Sequence, residues 1–267
     1  MANDSMIRYE VADSIATITL DRINSLNAMT QVGYAEMRDS LRSAQSDPRV
    51  HVVVITGAGR SFCAGSDVEE FLDYADVDPE EFANPANSAA VDVVFAFMEL
   101  EKPLIAAVNG IAVGFGATLL LHCDLVFIAT TASVTFPFTD LAVVPELGST
   151  QLLANAVGAQ RAARILLGSE TLTATDTFDL GLAVEVTEPD ELLTRVMHQA
   201  RSFASKSLGS MMATKRLLKR SSEPLPDRVL HEFRILAKRL RVDEVQSGFR
   251  AFVEQKNARK KNGGGTD

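Results

Sequence analysis

The sequence predicts an α/β fold over its first two-thirds and a purely helical segment after it. Three observations carry that reading. Short apolar, β-branched runs recur at residues 15–20 (IATITL), 50–56 (VHVVVIT) and 103–108 (PLIAAV). The second and third each run into a glycine-bearing turn and then toward helical spacing, the strand–helix alternation of an α/β arrangement. After about residue 190 the strand signals vanish and helical periodicity takes over.

Taken in order, residues 15–20 alternate apolar residues with Thr, as a half-buried strand does. Residues 21–29 (DRINSLNAM) are loop-like, and 33–44 place Tyr34, Met37 and Leu41 at helical spacing. The run at 50–56 reads as a buried strand and feeds the glycine-rich loop 57–67 (GAGRSFCAGSD). Residues 68–87, with acids, Pro79 and Pro85, read as a mobile surface segment that could cover a pocket. A helix is expected over 89–100, a buried strand over 103–108, a second glycine turn over 109–116 and an apolar helix over 117–122. Short strands are expected at 125–129, 134–136 and 183–186, and helices at 149–163 and 174–180. Four helices then follow, at 192–205, 208–220, 226–241 and 243–256, the third with Val229, Phe233, Leu236 and Leu240 on one face. The organisation expected is a core over 1–190, a helical region over 191–257 and a disordered tail over 258–267.

Composition narrows the function. The 267 residues are 46% apolar and carry a net charge of -9, which argues against nucleic-acid binding, since phosphate neutralisation needs clustered Lys and Arg. Cys63 and Cys123 form no CxxC, and His51, His122, His198 and His231 are scattered without HExxH. Free buried thiols and surface imidazoles fit better than a disulfide framework or a metal site. No run approaches the roughly 20 apolar residues of a membrane span, and the N-terminal residues resemble neither a signal nor a transit peptide. A cytoplasmic protein that does not bind membranes is expected.

Chemistry points to the two strand–glycine–helix junctions. A helix start offers unpaired N–H groups and the positive end of its dipole, and two such starts facing one point would hold an anion. Glycine lets backbone approach a ligand closely. Either loop alone equally suits an ordinary tight turn. Neither is a P-loop or a full dinucleotide fingerprint, and the chain has no GxSxG.

Four stretches taken together resemble the crotonase (enoyl-CoA hydratase/isomerase) superfamily. DRINSLNAM is similar to N-R-P-x-x-x-N-A, and GAGRSFCAGSD keeps F-x-A-G-x-D. KPLIAAVNGIAVGFGATLLLHCD keeps K-P-x-I-A-A-V-x-G and the closing C-D, and FRAFVEQK is similar to the C-terminal A-F-x-E-K-R. The resemblance spans about residues 6–257 and implies a spiral of ββα units (a ClpP-like fold) with a helical C-terminal region that assembles trimers or dimers of trimers. It implies an acyl-CoA thioester substrate, with CoA as part of the substrate and no separate cofactor or metal.

The resemblance also assigns positions. The backbone N–H groups of Ser66 and Phe115 would hold the thioester oxygen, with Phe115 standing where the family usually has glycine. Thr118 stands where hydratases carry their first glutamate. In FPFTDLAVVPELGST, Asp140 matches the hydratase spacing for the second acid, whereas Glu146 in P-E-x-G-S-T matches the peroxisomal-type Δ3,Δ2-enoyl-CoA isomerases. Their second loop also has threonine in place of glutamate. Glu146 is therefore the favoured single acid/base, Asp140 the lesser candidate, and Leu141, Val143, Val144 and Leu147 the expected apolar pocket around the carboxyl. The CoA moiety would lie along Ser25, Leu26, Ala28, Ala64 and Asp67, with Lys256, Arg259 or Lys260 replacing the signature's missing lysine. A hydratase pairing Asp140 with Glu146, and a family member that binds acyl-CoA without turnover, are the alternatives.

Overall fold

The computed structural model describes residues 5–72, 77–219, 223–247, 249–251 and 254. The chain forms two compact units, one through Leu208 and one from Gly209. In the first, ten strands among the described residues make two sheets. One has six strands in the order β1 (Ile7–Ala12), β2 (Ile15–Leu20), β3 (Val52–Gly57), β5 (Leu104–Val108), β7 (Leu125–Ala129) and β10 (Glu185–Thr187). The other has four, in the order β4 (Ser61–Cys63), β6 (Ile111–Val113), β8 (Ser133–Thr135) and β9 (Thr171–Thr173). Only the β1–β2 and β8–β9 pairs are antiparallel.

From β3 to β8 consecutive strands therefore alternate between the sheets. β3 hands the chain to β4, β5 to β6 and β7 to β8, so each turn of the spiral adds one strand to each sheet. The central strands are buried on both faces: β3 reads VVVIT with every residue buried, and β5 reads LIAAV likewise. A continuous apolar run is what a parallel strand covered on both sides requires.

Helices α1 (Gln31–Ser46), α2 (Val68–Leu72), α3 (Pro79–Phe82) and α4 (Ala89–Glu99) precede β5. Tyr34, Met37, Leu41 and Ala44 form the buried stripe of α1, and Thr30 caps it by accepting from the Gly33 N–H at 3.2 Å. At its other end the buried Lys102 ammonium donates to the Ala44 and Asp47 carbonyls, both at 2.6 Å. That cation sits at the negative end of the helix dipole and satisfies carbonyls the helix leaves open.

Several expected elements differ in detail. β1 goes unforeseen because only Ile7 of its six residues is buried, leaving no alternating signal. It joins β2 through Asp13 and Ser14, both with positive φ, the backbone of a tight two-residue hairpin. The two glycine loops each contain a strand of three residues, β4 and β6. The apolar helix expected at 117–122 is α5 (Phe115–Thr118) continued by a 3-10 turn, Leu119–His122. The helix expected at 149–163 is two, α6 (Ser149–Val157) and α7 (Ala159–Gly168), separated by Gly158 at φ +86°. α8 (Ala174–Asp179) follows β9.

The first unit extends past the boundary expected at 190. α9 (Leu192–Ala204) belongs to it and buries Leu192, Val196 and Ala200, one face at four-residue spacing. The second unit contains nearly all of α10 (Leu208–Lys219) and α11 (Leu225–Arg239). The tail at 258–267 lies outside the described residues, as do 73–76 of the expected cover segment. Among the described residues no helix is long and apolar enough to cross a membrane.

Candidate active site

The site forms where the ends of β4 and β6 meet, and backbone contact brings them together. β4 and β6 are parallel neighbours, with Ser61 opposite Ile111 and Cys63 opposite Ala112. Beyond them the loops touch at glycines. A Cβ on Gly65 would lie 2.9 Å from the Val113 carbonyl oxygen, and one on Gly116 would lie 2.4 Å from that of Cys63. Gly65 and Gly114 both have positive φ, +100° and +53°, so the turns themselves demand glycine.

This junction carries the two amides singled out from the sequence. Met29 forms an isolated parallel bridge to Ser66, donating its N–H to the Gly65 carbonyl at 2.8 Å and accepting from the Asp67 N–H at 2.7 Å. Ser66's own N–H therefore points the other way. The Phe115 N–H opens α5, where no preceding helical carbonyl can take it. Neither amide donates to an acceptor among the described residues.

The strip expected to run along CoA is also assembled. The Ala64 N–H donates to the Leu26 carbonyl at 3.0 Å, and Arg22 pairs with Asp67 at 2.6 Å. Leu26 and Asn27 take left-handed backbone, and the buried Asn27 amide locks that turn by donating to the Ala58 and Ser61 carbonyls at 2.9 Å each. Ser25, Leu26, Ala28, Ala64 and Asp67 thus lie on two segments joined by main-chain bonds. Lys256, Arg259 and Lys260 lie outside the described residues.

Glu146 faces the same junction. Thr118, fully buried on α5, donates its hydroxyl to Glu146 Oε1 at 2.8 Å, with the Phe115 carbonyl as a second acceptor at 3.2 Å. The threonine is thus the hydrogen-bond partner of the acid carried by the next loop. Burial pushes the Glu146 carboxyl up to about 7, against the opposing effect of the Thr118 hydrogen bond. Leu147 and Gly148 after it both have positive φ. Leu147 is held there by burial and by His122, whose Nε2–H donates to the Leu147 carbonyl at 2.9 Å.

Asp140 stands apart. Its side chain is exposed, and its backbone N–H donates to Ser169 Oγ at 3.3 Å. The apolar pocket expected from residues 141–147 also needs correction. Leu141, Val143 and Val144 are 59%, 53% and 81% exposed, and only Leu147 is buried. Their loop turns outward through Ala142, at φ +57°, and the side chain that Glu146 contacts is Thr118 on α5.

Sequence reasoning missed two participants. Tyr34 was legible only as an apolar position of α1. Its ring meets that of Phe115 edge-on at 4.8 Å, and its hydroxyl lies 2.6 Å from Ser66 Oγ. Phe115, which stands where the family usually has glycine, is packed between Tyr34 and Phe97. His122, expected on the surface, is buried behind Glu146's loop. Cys63 is buried as expected, and burial pushes its thiol up to about 12, so it stays protonated at neutral pH. The available signal for Tyr34 was the hydroxyl itself, since a buried phenol seeks a partner.

Comparison with known proteins agrees with this architecture. The enoyl-CoA hydratase/isomerase family profile matches residues 10–262. The crotonyl-CoA hydratase of Syntrophomonas wolfei subsp. wolfei is 30% identical over 261 residues, covering 97% of this chain and 98% of its own. The 1,2-epoxyphenylacetyl-CoA isomerase of Escherichia coli K12 is 32% identical over 211 residues, covering 75% and 76%. A crystal structure of an enoyl-CoA hydratase from Polaromonas sp. JS666 superposes with a TM-score of 0.86 at 26% identity, covering 93% of this chain and 97% of that one. The chain belongs to the enoyl-CoA hydratase/isomerase family and has the crotonase fold.

Proposed function

We propose that this enzyme is a Δ3,Δ2-enoyl-CoA isomerase with Glu146 as its single acid/base. The observation that carries the reading is the Glu146 carboxyl itself: buried, held by Thr118, and raised to about 7 beside two unpaired amides. Glu146 as carboxylate takes a C2 proton from a 3-enoyl-CoA. The electron pair moves into a dienolate whose oxygen is held by the Ser66 and Phe115 N–H groups. The protonated Glu146 then returns the proton to C4, leaving the double bond between C2 and C3. Near neutral pH a carboxyl of this kind gives and takes a proton at similar cost. A relative named as an isomerase shows that the family's chemistry extends beyond hydration.

Hydration is the competing reading, since relatives are named as hydratases. A two-carboxylate arrangement would need a second acid at the junction, where this chain has Thr118, while Asp140 points to solvent. Turnover of 3-trans-hexenoyl-CoA and crotonyl-CoA by wild type and Glu146→Gln separates the two. Rapid isomerisation lost in the variant, with weak crotonyl-CoA hydration, is the expected result. Strong hydration, or isomerisation that survives the substitution, would overturn the assignment.

The same reading includes assembly through the C-terminal helices. α11 leaves Val229, Leu230, Phe233 and Leu236 exposed at helical spacing, an apolar face suited to another copy of the chain. Phe233→Glu should sediment as a smaller species than wild type; an unchanged oligomer would remove α11 from the interface.

A further inference from the structure

The Tyr34–Ser66 hydroxyl pair has no role in the reaction as derived so far. Two hydroxyls 2.6 Å apart share one proton between them and leave the other free to donate elsewhere. Three observations fix which proton is free. A phenol is the stronger donor of the two, so Tyr34 gives its proton to Ser66 Oγ. The Tyr34 side chain is buried, 4% exposed, with its ring against Phe115, whereas Ser66 is only partly covered at the open side of the junction. No other acceptor among the described residues takes the Ser66 hydroxyl. The free proton therefore lies on Ser66, the residue whose N–H is one of the two unpaired amides.

We infer that the Ser66 hydroxyl is a third hydrogen-bond donor to the substrate's thioester oxygen, and that Tyr34 is the positioning residue that aims and polarises it. Accepting from the phenol makes Ser66 a better donor, since hydrogen bonds in a chain strengthen one another. A donor fixed before the charge develops favours the enolate over the neutral thioester. Tyr34 also joins the two loops physically, with its hydroxyl on the first and its ring on the second. The phenol holds its proton firmly: burial raises it well above its ordinary range, the Ser66 hydrogen bond opposes this, and the nearby Glu146 adds to the rise. Tyr34 thus acts as a donor and takes no part as a base.

This inference rests on the proposed enolate chemistry, and its test is chosen to fail separately from it. The probe is hexanoyl-CoA, which binds without a double bond to move, and the readout is the infrared stretch of its bound thioester carbonyl. Wild type and Glu146→Gln should show the same downshift from the free ester. Ser66→Ala and Tyr34→Phe should each lose part of it, while Ser66→Thr, which keeps a hydroxyl, should retain most of it. On 3-trans-hexenoyl-CoA, Ser66→Ala and Tyr34→Phe should each lower kcat about 10-fold, below the 10²–10³ typical of a principal oxyanion donor, with KM little changed. The double variant should be no slower than Ser66→Ala alone. An unchanged carbonyl stretch in both single variants, or losses in kcat that multiply, would overturn the inference. Loss of isomerase activity in Glu146→Gln bears on the acid/base alone and leaves the carbonyl result standing.

Discussion

Replacing Glu146 by Gln should make the protein more stable at alkaline pH and leave it little changed at acid pH. The physical source is the cost of ionising a buried carboxyl. In the unfolded chain Glu146 titrates near 4.5, and in the folded protein near 7. Between those values the folded state holds a proton that the unfolded chain releases, so stability falls as pH rises through this window and levels off above it. At about 1.4 kcal/mol for each tenfold change in proton affinity, the full cost is about 3 kcal/mol, most of it incurred between pH 5 and pH 8. Glutamine keeps the shape, can still accept from Thr118, and does not ionise. Urea unfolding at a series of pH values should show wild type losing about 2–3 kcal/mol relative to the variant between pH 5 and pH 8, a shift in midpoint of about 1 M at ordinary urea slopes. A stability difference independent of pH would mean that Glu146 ionises freely in the folded protein. The assignment of its burial, and with it the acid/base argument, would then be wrong.

Three further outcomes follow from the same geometry. Thr118→Val removes the hydrogen bond that favours the Glu146 carboxylate, so the midpoint of the rise in kcat/KM with pH should move above about 7; an unmoved midpoint in a pH–rate profile would detach Thr118 from the acid. Gly116→Ala puts a Cβ within 2.4 Å of the Cys63 carbonyl oxygen and should force the two loops apart, lowering isomerase turnover by about 10²-fold, the cost of one lost oxyanion donor; near-normal turnover would mean the loops can separate freely. Lys102→Met leaves the Ala44 and Asp47 carbonyls without their charged donor and should cost about 2 kcal/mol or more, read as a lower thermal midpoint; an unchanged midpoint would show that water replaces the ammonium.

The sequence is informative where burial is complete and local. β3 and β5 are legible because both faces of each are covered, so every residue is apolar and no periodicity is needed. β4, β6 and β9 are three residues long, too short for any pattern, and two of them lie inside loops rich in glycine. β1 is hidden for the opposite reason: as an edge strand it exposes nearly everything beyond Ile7. The two glycine loops are legible as motifs, and in the structure they approach at glycines that leave no room for a Cβ. Glu146 was legible only through family resemblance. Nothing in PELGST distinguishes it from a solvated acid, because its hydrogen-bond partner, Thr118, lies 28 residues earlier in the chain. The neighbouring apolar residues misled for a related reason: Leu141, Val143 and Val144 look like core, and only the left-handed turn at Ala142 shows them facing out.

The spiral hands each turn of chain from one sheet to the other, so Ser66 and Phe115 occupy equivalent places one turn apart, just beyond two hydrogen-bonded neighbouring strands. The spacing of their amides is therefore tied to the separation of paired strands, about 4.8 Å, a dimension of the peptide backbone. Side chains enter it only by staying out of the way, as the glycines do. Such an aperture, set by backbone, is insensitive to most side-chain substitution. On the proposed chemistry, what can drift around it is everything that decides which carbon gives up a proton and which receives it. A fixed backbone hole with replaceable acids is a plan by which one fold can change its reaction without rebuilding the means of holding its intermediate.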